Sequence, residues 1–437
     1  MGIKPSIYSE ITIDKDGKSV DMRLAVASIV FFEDILTPAL TCKIQIADIG
    51  GSTKLKGSGE ALSLYEGMKI RGGEEVRIFI QPNSDSTEGI SLLDTPLYVN
   101  SIKNVIREGN KEFFVLNLVS RAGFENEFKF VQKSYSKEAR ISDHVQSILG
   151  EFFPLENSEI DTTANTHGFI GNQRKPFELL INLASKAVSG ESGSSDTAAG
   201  YLFYYTRKGF FFKSIARMVN EPSKASFYYD ETAENELSGG NIDFRIIKYE
   251  VSKNQSVIND LRKGAYSSSR RFFDPVTFNV TGEEASYTGN NYENKMDTLN
   301  NPFSPDDRAL ANASISFDNL PSRILTETLD RGTVEKDVSI EQTKYIDSYL
   351  AQRKVRYNSL FSQVITIQVP STTTIYAGDI VECYLPKMNG DDHAREYDYE
   401  QVGGRYMVKE ISHYFDTRGS YTNMKLIRDS FGFDTTK

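Results

Sequence analysis

The sequence has few of the residues that usually mark a disulfide-bonded or metal-binding protein. Its 437 residues include no tryptophan, two cysteines, four histidines and 13 prolines. Cys42 and Cys383 lie far apart, which excludes both a disulfide framework and the close-spaced thiolate pairs of a structural zinc site. Each cysteine lies in an apolar, strand-like segment, so we expect both to be small core residues.

Long apolar runs and dense basic clusters are also missing. No run approaches the ~20 residues needed to span a bilayer, and the first residues lack the apolar stretch of a secretion signal. We therefore expect a soluble protein from a cytosol-like compartment, with no membrane contact. The 50 basic and 60 acidic residues give a formal net charge of −10. Proteins that bind nucleic-acid phosphates usually carry a positive net charge or a positive patch, so stable nucleic-acid binding is not expected.

The sequence is rich in strand patterns instead. Residues 1 to about 130 contain five or six β-branched and aromatic segments separated by glycine turns, with a hairpin tip predicted at 106–110. This density of strands predicts a barrel or a strongly curved antiparallel sheet. The last part of the chain, from about residue 361, shows the same pattern.

The middle of the chain changes to a mixture of helix and strand. Two amphipathic helices are predicted, the first capped by Ser136 and the second opened by Pro176. An aromatic hairpin that turns at 207–209 follows them. The apolar faces of the helices are formed by Ile141, Val145, Ile148 and Leu149 in the first, and by Phe177, Leu180, Ile181, Ala184 and Val188 in the second.

Beyond residue 240 the pattern is less regular. Strands are followed by a polar stretch at 286–314 that predicts an extended loop. Pro321 is predicted to open a short helix, and 337–358 a longer one that carries a stripe of Tyr345, Tyr349 and Tyr357. Aromatic side chains are enriched at interfaces, so these three tyrosines are the candidate inter-subunit residues. Packing of the stripe within its own domain is the alternative.

The same order of short motifs occurs twice. Near the N-terminus, Ile44-Gln45-Ile46 precedes Tyr65–Ile70, then Val99 and Ile102, then a strand that follows Gly109. Near the C-terminus, Ile367-Gln368-Val369 precedes Tyr376–Ile380, then Val408 and Ile411, then a strand that follows Gly419. The offset between the copies drifts from 323 to about 310, as it would if the connecting loops differ in length.

The repeat predicts a mainly β fold in which two similar antiparallel β-barrel, tube-like domains flank a small α+β domain. The predicted domains are a first barrel (1–132), an α+β insertion (133–240), strands and a long loop that link to the second barrel (241–335), and a helix with the second barrel (336–437).

No catalytic constellation is evident. The chain has no GxSxG elbow, Walker loop or Rossmann glycine motif, and its histidines show no metal-ligand spacing. These are His144, His167, His393 and His413, and the position of His144 beside Asp143 predicts a surface residue. We therefore predict no catalytic, cofactor-binding or metal-binding residues, no cofactor and no enzymatic activity.

Three stretches resemble the baseplate hub proteins of contractile-tailed bacteriophages, a family shared with the N-terminal part of VgrG. The first runs from Arg140 to Ser189 and contains a helix, a Thr-rich turn and a Pro-Phe-x-x-Leu helix start. The second is the aromatic hairpin with its Arg-x-Gly-Phe turn from Arg207. The third is GAYSSSRRFFDPVTFNV, from Gly264. The order of these motifs, together with the flanking β repeats, carries the resemblance over most of the chain.

The resemblance implies a structural role in the virion, at the tail baseplate, after assembly in the host bacterial cytoplasm. It implies a homotrimer whose six tube-like domains form a ring between a sixfold tail tube and a threefold spike. Its implied partners are the spike, tail-tube or tube-initiator proteins, baseplate wedge proteins, and the tape-measure protein and DNA that pass through the ring. Because no repetitive needle segment follows the last strand, we expect the spike to be a separate polypeptide.

Two alternatives stay open from the sequence. The first is the hub of a type VI secretion or tailocin-like injection machine, which would share the fold. The second is of another class, a tail-associated cell-wall hydrolase.

Overall fold

A computed structural model describes residues 6–81, 89–190, 199–229, 244–253, 256–286, 297–302, 321–328, 352–387, 398 and 401–432. The described helices are α1 (Arg121–Asn126), α2 (Ile141–Phe152), α3 (Pro176–Lys186), α4 (Ile215–Asn220), α5 (Val257–Lys263) and α6 (352–359).

Strands make up most of the described chain. In the first part they are β1 (Ile7–Lys15), β2 (Lys18–Asp21), β3 (Val26–Asp34), β4 (Thr41–Ile49), β5 (Lys54–Leu55), β6 (Glu75–Gln81), β7 (Ile90–Glu108) and β8 (Lys111–Ser120). In the middle they are β9 (Ser134–Tyr135), β10 (Ser158–Ile160), β11 (Phe169–Ile170), β12 (Tyr201–Thr206), β13 (Gly209–Ser214), β14 (Ala225–Tyr228), β15 (Lys248–Lys253), β16 (Ser267–Phe273), β17 (Val280–Ser286), β18 (Asn301–Pro302) and β19 (Arg323–Thr328). In the last part they are β20 (Gln363–Pro370), β21 (Ile380–Tyr384), β22 (Gly404–Asp416), β23 (Ser420–Arg428) and β24 (Ser430–Phe431).

One 14-stranded sheet runs through both ends of the chain. Its main path is β15-β20-β23-β22-β3-β4-β8-β7-β6-β1-β2-β5, with β21 pairing β22 and β14 pairing β21. We call β1–β8 the first unit, and β14, β15 and β20–β23 the second unit. The mainly β fold with its two strand-rich units is confirmed, and the two units are joined edge to edge through β3 and β22. The second unit takes β14 and β15 from before residue 254; the domain boundaries themselves stay a prediction.

The hairpin of β12 and β13 forms a wall shared by two hydrophobic cores. Tyr201, Phe203 and Tyr205 pack into the core of the first unit and helices α2 and α3. Leu202 and Tyr204, which point to the opposite face, pack into the core of the second unit. Because both faces of the hairpin are covered, its sequence is an apolar run and does not alternate.

Most of the predicted core positions are confirmed. Cys42 and Cys383 are buried free cysteines, and burial raises the pKa of both thiols. Pro176 opens α3 as predicted. The predicted core positions of both helices are buried except Ile181, which is 47% exposed, so that prediction was wrong.

Two local predictions were also wrong. Helix α2 begins at Ile141 with Arg140 as its N-cap. The predicted cap, Ser136, lies four residues before Arg140, in the connection between β9 and α2. Pro321 precedes strand β19 and opens no helix, because 323–328 pair in parallel with β16. Of the loop predicted at 286–314, only Ser286 and 297–302 are described: Ser286 ends β17, and Asn301–Pro302 form the short strand β18, which pairs with β24. The rest of the predicted loop lies outside the described residues.

Candidate functional site

The two units repeat the same pairing of four strands. The order β4-β8-β7-β6 in the first unit matches β20-β23-β22-β21 in the second. The registers also match, because Ile44 opposes Leu116 as Ile367 opposes Met424, and Ile46 opposes Phe114 as Val369 opposes Thr422. The predicted equivalence of Ile44-Gln45-Ile46 with Ile367-Gln368-Val369 is therefore confirmed residue by residue.

A β-bulge stands at the same point of each unit. Val99 opposes Leu118, and the register with β8 shifts before Ser101. Val408 opposes Leu426, and the register with β23 shifts before Glu410. A bulge places one extra residue in its strand. The two apolar residues of the motif, Val99 and Ile102 in β7 and Val408 and Ile411 in β22, are therefore three positions apart instead of two. Asn100 and Lys409 are the extra residues.

The turn that leads into β6 or β21 shows where the predicted alignment was wrong. Gly73 N donates to Val99 O at 2.7 Å, and Gly378 N donates to Val408 O at 2.8 Å. Both glycines have a positive φ, +84° and +95°. Gly378 is therefore equivalent to Gly73, and the sequence alignment with Gly67 chose the wrong glycine. The carboxylates that follow, Glu74 and Asp379, each accept a backbone N–H of their own turn.

At the bulge, strand β22 changes partner. Its first half, up to Met407, pairs with β21, and its second half, Glu410–Asp416, pairs antiparallel with β3. The register places Asp416 opposite Ser28, Phe415 opposite Ile29 and Tyr414 opposite Val30. A salt bridge of 2.6 Å between Lys409 Nζ and Asp34 Oδ2 connects the bulge to β3. This pairing is the junction between the two units.

A buried ionic cluster supports the junction from the middle of the chain. Arg207, at the turn of the aromatic hairpin, donates through Nε to Glu33 Oε1 of β3 at 2.7 Å. Its Nη2 donates to Thr373 O at 3.1 Å and lies 3.3 Å from His413 Nε2 of β22. Burial, and next the charge of Arg207, hold the pKa of His413 well below its usual range. With its pKa lowered, the neutral His413 ring can accept from the guanidinium; no local sequence pattern predicted this contact.

Two strand edges equivalent to this junction have no partner among the described residues. The second half of β7, from Ser101 to Glu108, pairs only with β8. Strand β15 pairs only with β20. By their place in the units, β7 matches β22 and β15 matches β3. Apolar side chains at these edges are exposed: Val105 by 37%, Ile106 by 56% and Val251 by 36%.

Each described histidine contacts a neighbouring polar group of the fold. His144 is 4% exposed, so its predicted surface position was wrong; it packs edge-on against Tyr135 and Phe169, and its Nε2 lies 3.0 Å from Ser136 O. His167 Nε2 lies 3.1 Å from Lys186 Nζ, and His393 lies outside the described residues. Within those residues, no group of three or more His, Cys, Asp or Glu side chains is arranged to hold a metal ion.

Of the candidate interface tyrosines, only Tyr357 lies in the described part of the chain. Its hydroxyl accepts a hydrogen bond from Tyr201 N at 3.2 Å and donates one to Tyr201 O. This contact anchors α6 to the edge of β12 within the chain. Tyr345 and Tyr349 lie outside the described residues, and the inter-subunit role of the three stays a prediction. No helix of the described chain is long and apolar enough to cross a membrane.

Known proteins resemble the chain in sequence and in fold. A probable baseplate hub protein of Vibrio phage KVP40 is 20% identical over 305 residues, which cover 69% of each chain. The crystal structure of a tail protein from Neisseria meningitidis MC58 superimposes with a TM-score of 0.52 at 10% identity, covering 98% of this chain and 99% of that one. The 43 kDa tail protein of prophage MuSo2 from Shewanella oneidensis gives 0.51 at 11% identity, covering 96% and 98%. No family model matches the sequence. The resemblance predicted from the motifs is confirmed as a similarity: the chain resembles a phage baseplate hub protein in sequence and two solved tail proteins in fold.

Proposed function

We propose that the chain is the central hub of a phage tail baseplate, where it forms a homotrimeric ring between a sixfold tail tube and a threefold spike. The observation that carries this proposal is the repetition of one strand pattern, with its bulge, in two units joined by β3 and β22. Three such chains present six similar sheet units, so a threefold assembly can match a sixfold neighbour. A ring with head-to-tail contacts leaves no subunit edge unmatched.

The shape of the units supports a ring whose open sheet face lines the channel. On β4, β8, β20 and β23 one set of alternate residues is buried in the two cores, and the core side also carries helices α2, α3 and α4. In a closed ring the bulkier side takes the larger, outer circumference. The opposite face, with Gln45, Asn117, Gln368 and Asn423, then faces inward.

The chemistry of that open face suits passage without binding. Its central positions include the amides Gln45, Asn117, Gln368 and Asn423. Lys425 lies opposite Glu410, and Lys43 lies opposite Val30 and Asn117. A net charge of −10 per chain adds no attraction for phosphates. The proposed channel therefore lets DNA and the tape-measure protein move without a stable complex.

The mass of the purified protein in solution tests the proposal. The expected result is three times 49.1 kDa, with a central hole and six similar densities around it in electron microscopy. A monomer or a dimer at concentrations near 100 µM would contradict the trimer. Strong binding of duplex DNA at physiological salt would contradict the channel, and turnover of peptidoglycan by the pure protein would favour the hydrolase alternative.

A further inference from the structure

We propose that neighbouring copies of the chain join by antiparallel pairing of β7, at Ser101–Glu108, with β15 of the next copy. The register is that of the internal junction at Ile106–Glu108. Beyond it, the register of β7 shifts between Lys103 and Ile106 and that of β15 between Val251 and Lys253, whereas β22 and β3 pair without a shift. This inference rests on the proposed ring, and it names the surfaces that close it. The partner is a second copy of the same chain, because the chain itself contains the template for the contact, β22 paired with β3.

The equivalence of β7 with β22 follows from their pairing with β8 and β23. After the bulge, Ile102 opposes Leu116 as Ile411 opposes Met424. Towards the hairpin tip, Ile106 opposes Phe113 and Arg107 opposes Glu112, as Tyr414 opposes Tyr421 and Phe415 opposes Ser420. Ile106 is thus equivalent to Tyr414, Arg107 to Phe415 and Glu108 to Asp416.

The equivalence of β15 with β3 follows in the same way from β20 and β4. Lys248 opposes Gln368 as Ser28 opposes Gln45, Tyr249 opposes Ile367 as Ile29 opposes Ile44, and Glu250 opposes Thr366 as Val30 opposes Lys43. In the internal junction Ser28 faces Asp416, Ile29 faces Phe415 and Val30 faces Tyr414. Between copies, Lys248 therefore faces Glu108, Tyr249 faces Arg107 and Glu250 faces Ile106.

The side chains at these two edges complement each other. Lys248 and Glu108 carry opposite charges. Arg107, whose guanidinium lies over Tyr65 and pairs with Glu66 in its own chain, faces the ring of Tyr249. In the same register the exposed Val105, which precedes Ile106, lies opposite the exposed Val251, which follows Glu250. One like-charged pair, Lys103 and Lys253, is relieved because Lys253 Nζ is held by Asp260 Oδ1 at 3.0 Å within its own chain. Exposed apolar edge strands of this length are a hazard for a monomer, and pairing between copies removes it.

Cysteine cross-linking tests the register. Facing residues of an antiparallel pair have Cα atoms ~4.5–5.5 Å apart, within the ~4.4–6.8 Å that a disulfide spans. Full-length Lys248→Cys/Glu108→Cys and Glu250→Cys/Ile106→Cys proteins are oxidised and separated on a denaturing, non-reducing gel. The native thiols are buried with raised pKa values and stay unreacted. We expect dimers and trimers, with no species above the trimer.

Matched pairs control for geometry. Val30→Cys/Tyr414→Cys is the equivalent pair of the internal junction and should form a disulfide within one chain. Glu250→Cys/Lys111→Cys places the second thiol on β8, on the side of β7 away from the free edge, and should give no linked species. Trimeric protein in which only the internal pair forms, or in which the Lys111 pair links as well as the proposed pairs, overturns the inference and leaves the trimer standing.

The number of chains in the largest cross-linked species separates the inference from the proposed function. Linked species that continue beyond three would support the β7–β15 pairing but contradict a threefold ring, since a head-to-tail contact that fails to close gives filaments. A wild-type chain that stays monomeric, together with cysteine variants that form no links between chains, would overturn both. As a second measurement, Val251→Asp should shift the native mass from trimer to monomer, whereas Leu155→Asp, at a residue 71% exposed outside both edges, should leave the trimer intact.

Discussion

The Arg207 guanidinium lies 2.7 Å from the Glu33 carboxylate, and their side chains are 9% and 0% exposed. The two residues are 174 positions apart and belong to the hairpin of the middle segment and to β3 of the first unit. Since the same guanidinium also donates to the Thr373 carbonyl of the second unit, it connects the three parts of the chain at the junction.

Replacing Arg207 with methionine should lower the free energy of unfolding by ~3–5 kcal/mol, because it leaves the Glu33 carboxylate buried without a counter-charge. Urea unfolding of the purified variants measures this loss. Arg207→Met/Glu33→Gln should recover part of it. The control is Lys56→Met, which removes the exposed ion pair with Glu10 and should cost less than ~1 kcal/mol; equal losses in the two single variants would contradict the prediction.

His413 should make the stability of the fold depend on pH below neutrality. Burial and the charge of Arg207 lower its pKa in the folded state, so below about pH 6.5 the unfolded chain binds a proton that the folded chain does not. The free energy of unfolding should therefore fall with decreasing pH, by up to ~1.4 kcal/mol per pH unit from this residue.

Urea titrations between pH 7 and pH 5 measure that slope, and His413→Gln should reduce it. Burial also lowers the pKa of His144, so a smaller slope should remain in this variant and decrease further in His413→Gln/His144→Gln. A slope unchanged by His413→Gln would show that His413 is not the group responsible.

The two equivalent glycines should respond differently to alanine. Both have a positive φ, which costs an alanine ~1–2 kcal/mol. A Cβ at Gly73 would meet no atom within 4 Å, whereas one at Gly378 would clash with the Tyr204 hydroxyl and lie 2.9 Å from its Cζ. Gly378→Ala should therefore lose ~1–3 kcal/mol more than Gly73→Ala. Paired thermal unfolding curves decide this, and equal shifts would contradict the close approach at Tyr204.

Tyr357→Phe should weaken the fold and leave the assembly unchanged. The substitution removes a hydroxyl that serves both Tyr201 N and Tyr201 O, which should cost ~1–3 kcal/mol. Burial raises the pKa of Tyr357 to about 12, as expected for a hydroxyl held away from water. Thermal unfolding and native mass measure the two effects. Loss of the trimer without loss of stability would instead support the inter-subunit role predicted for this tyrosine.

The sequence was most informative where a local pattern has a direct geometric cause. The three-residue spacing of Val99 with Ile102, and of Val408 with Ile411, could be recognised because a bulge inserts one residue between two core positions. The hairpin of β12 and β13 could be predicted from its aromatic run, because strands covered on both faces need no polar alternation.

The features that the sequence did not predict depend on contacts between distant segments. His144 was predicted to be a surface residue because it lies beside Asp143. In the fold it packs against the rings of Tyr135 and Phe169, and its Nε2 lies within hydrogen-bond distance of Ser136 O. The sequence motif aligned Gly67 with Gly378. The hydrogen bonds from Gly73 N to Val99 O and from Gly378 N to Val408 O identify Gly73 as the structural equivalent of Gly378. The pairing of β3 with β22 joins strands almost 400 positions apart, and no local periodicity encodes it.

The bulge at Lys409 has a consequence for how mutations act. At that point β22 stops pairing with β21 and begins to pair with β3. Each unit therefore has one strand that can extend beyond its own sheet and one edge that can receive such a strand. In the proposed trimer, the pairing of β22 with β3 forms within each chain and the equivalent pairing of β7 with β15 forms between chains, with different side chains in each. Folding and association can therefore be altered separately by substitutions at matching places, and the inner contact serves as a ready-made reference for the outer one.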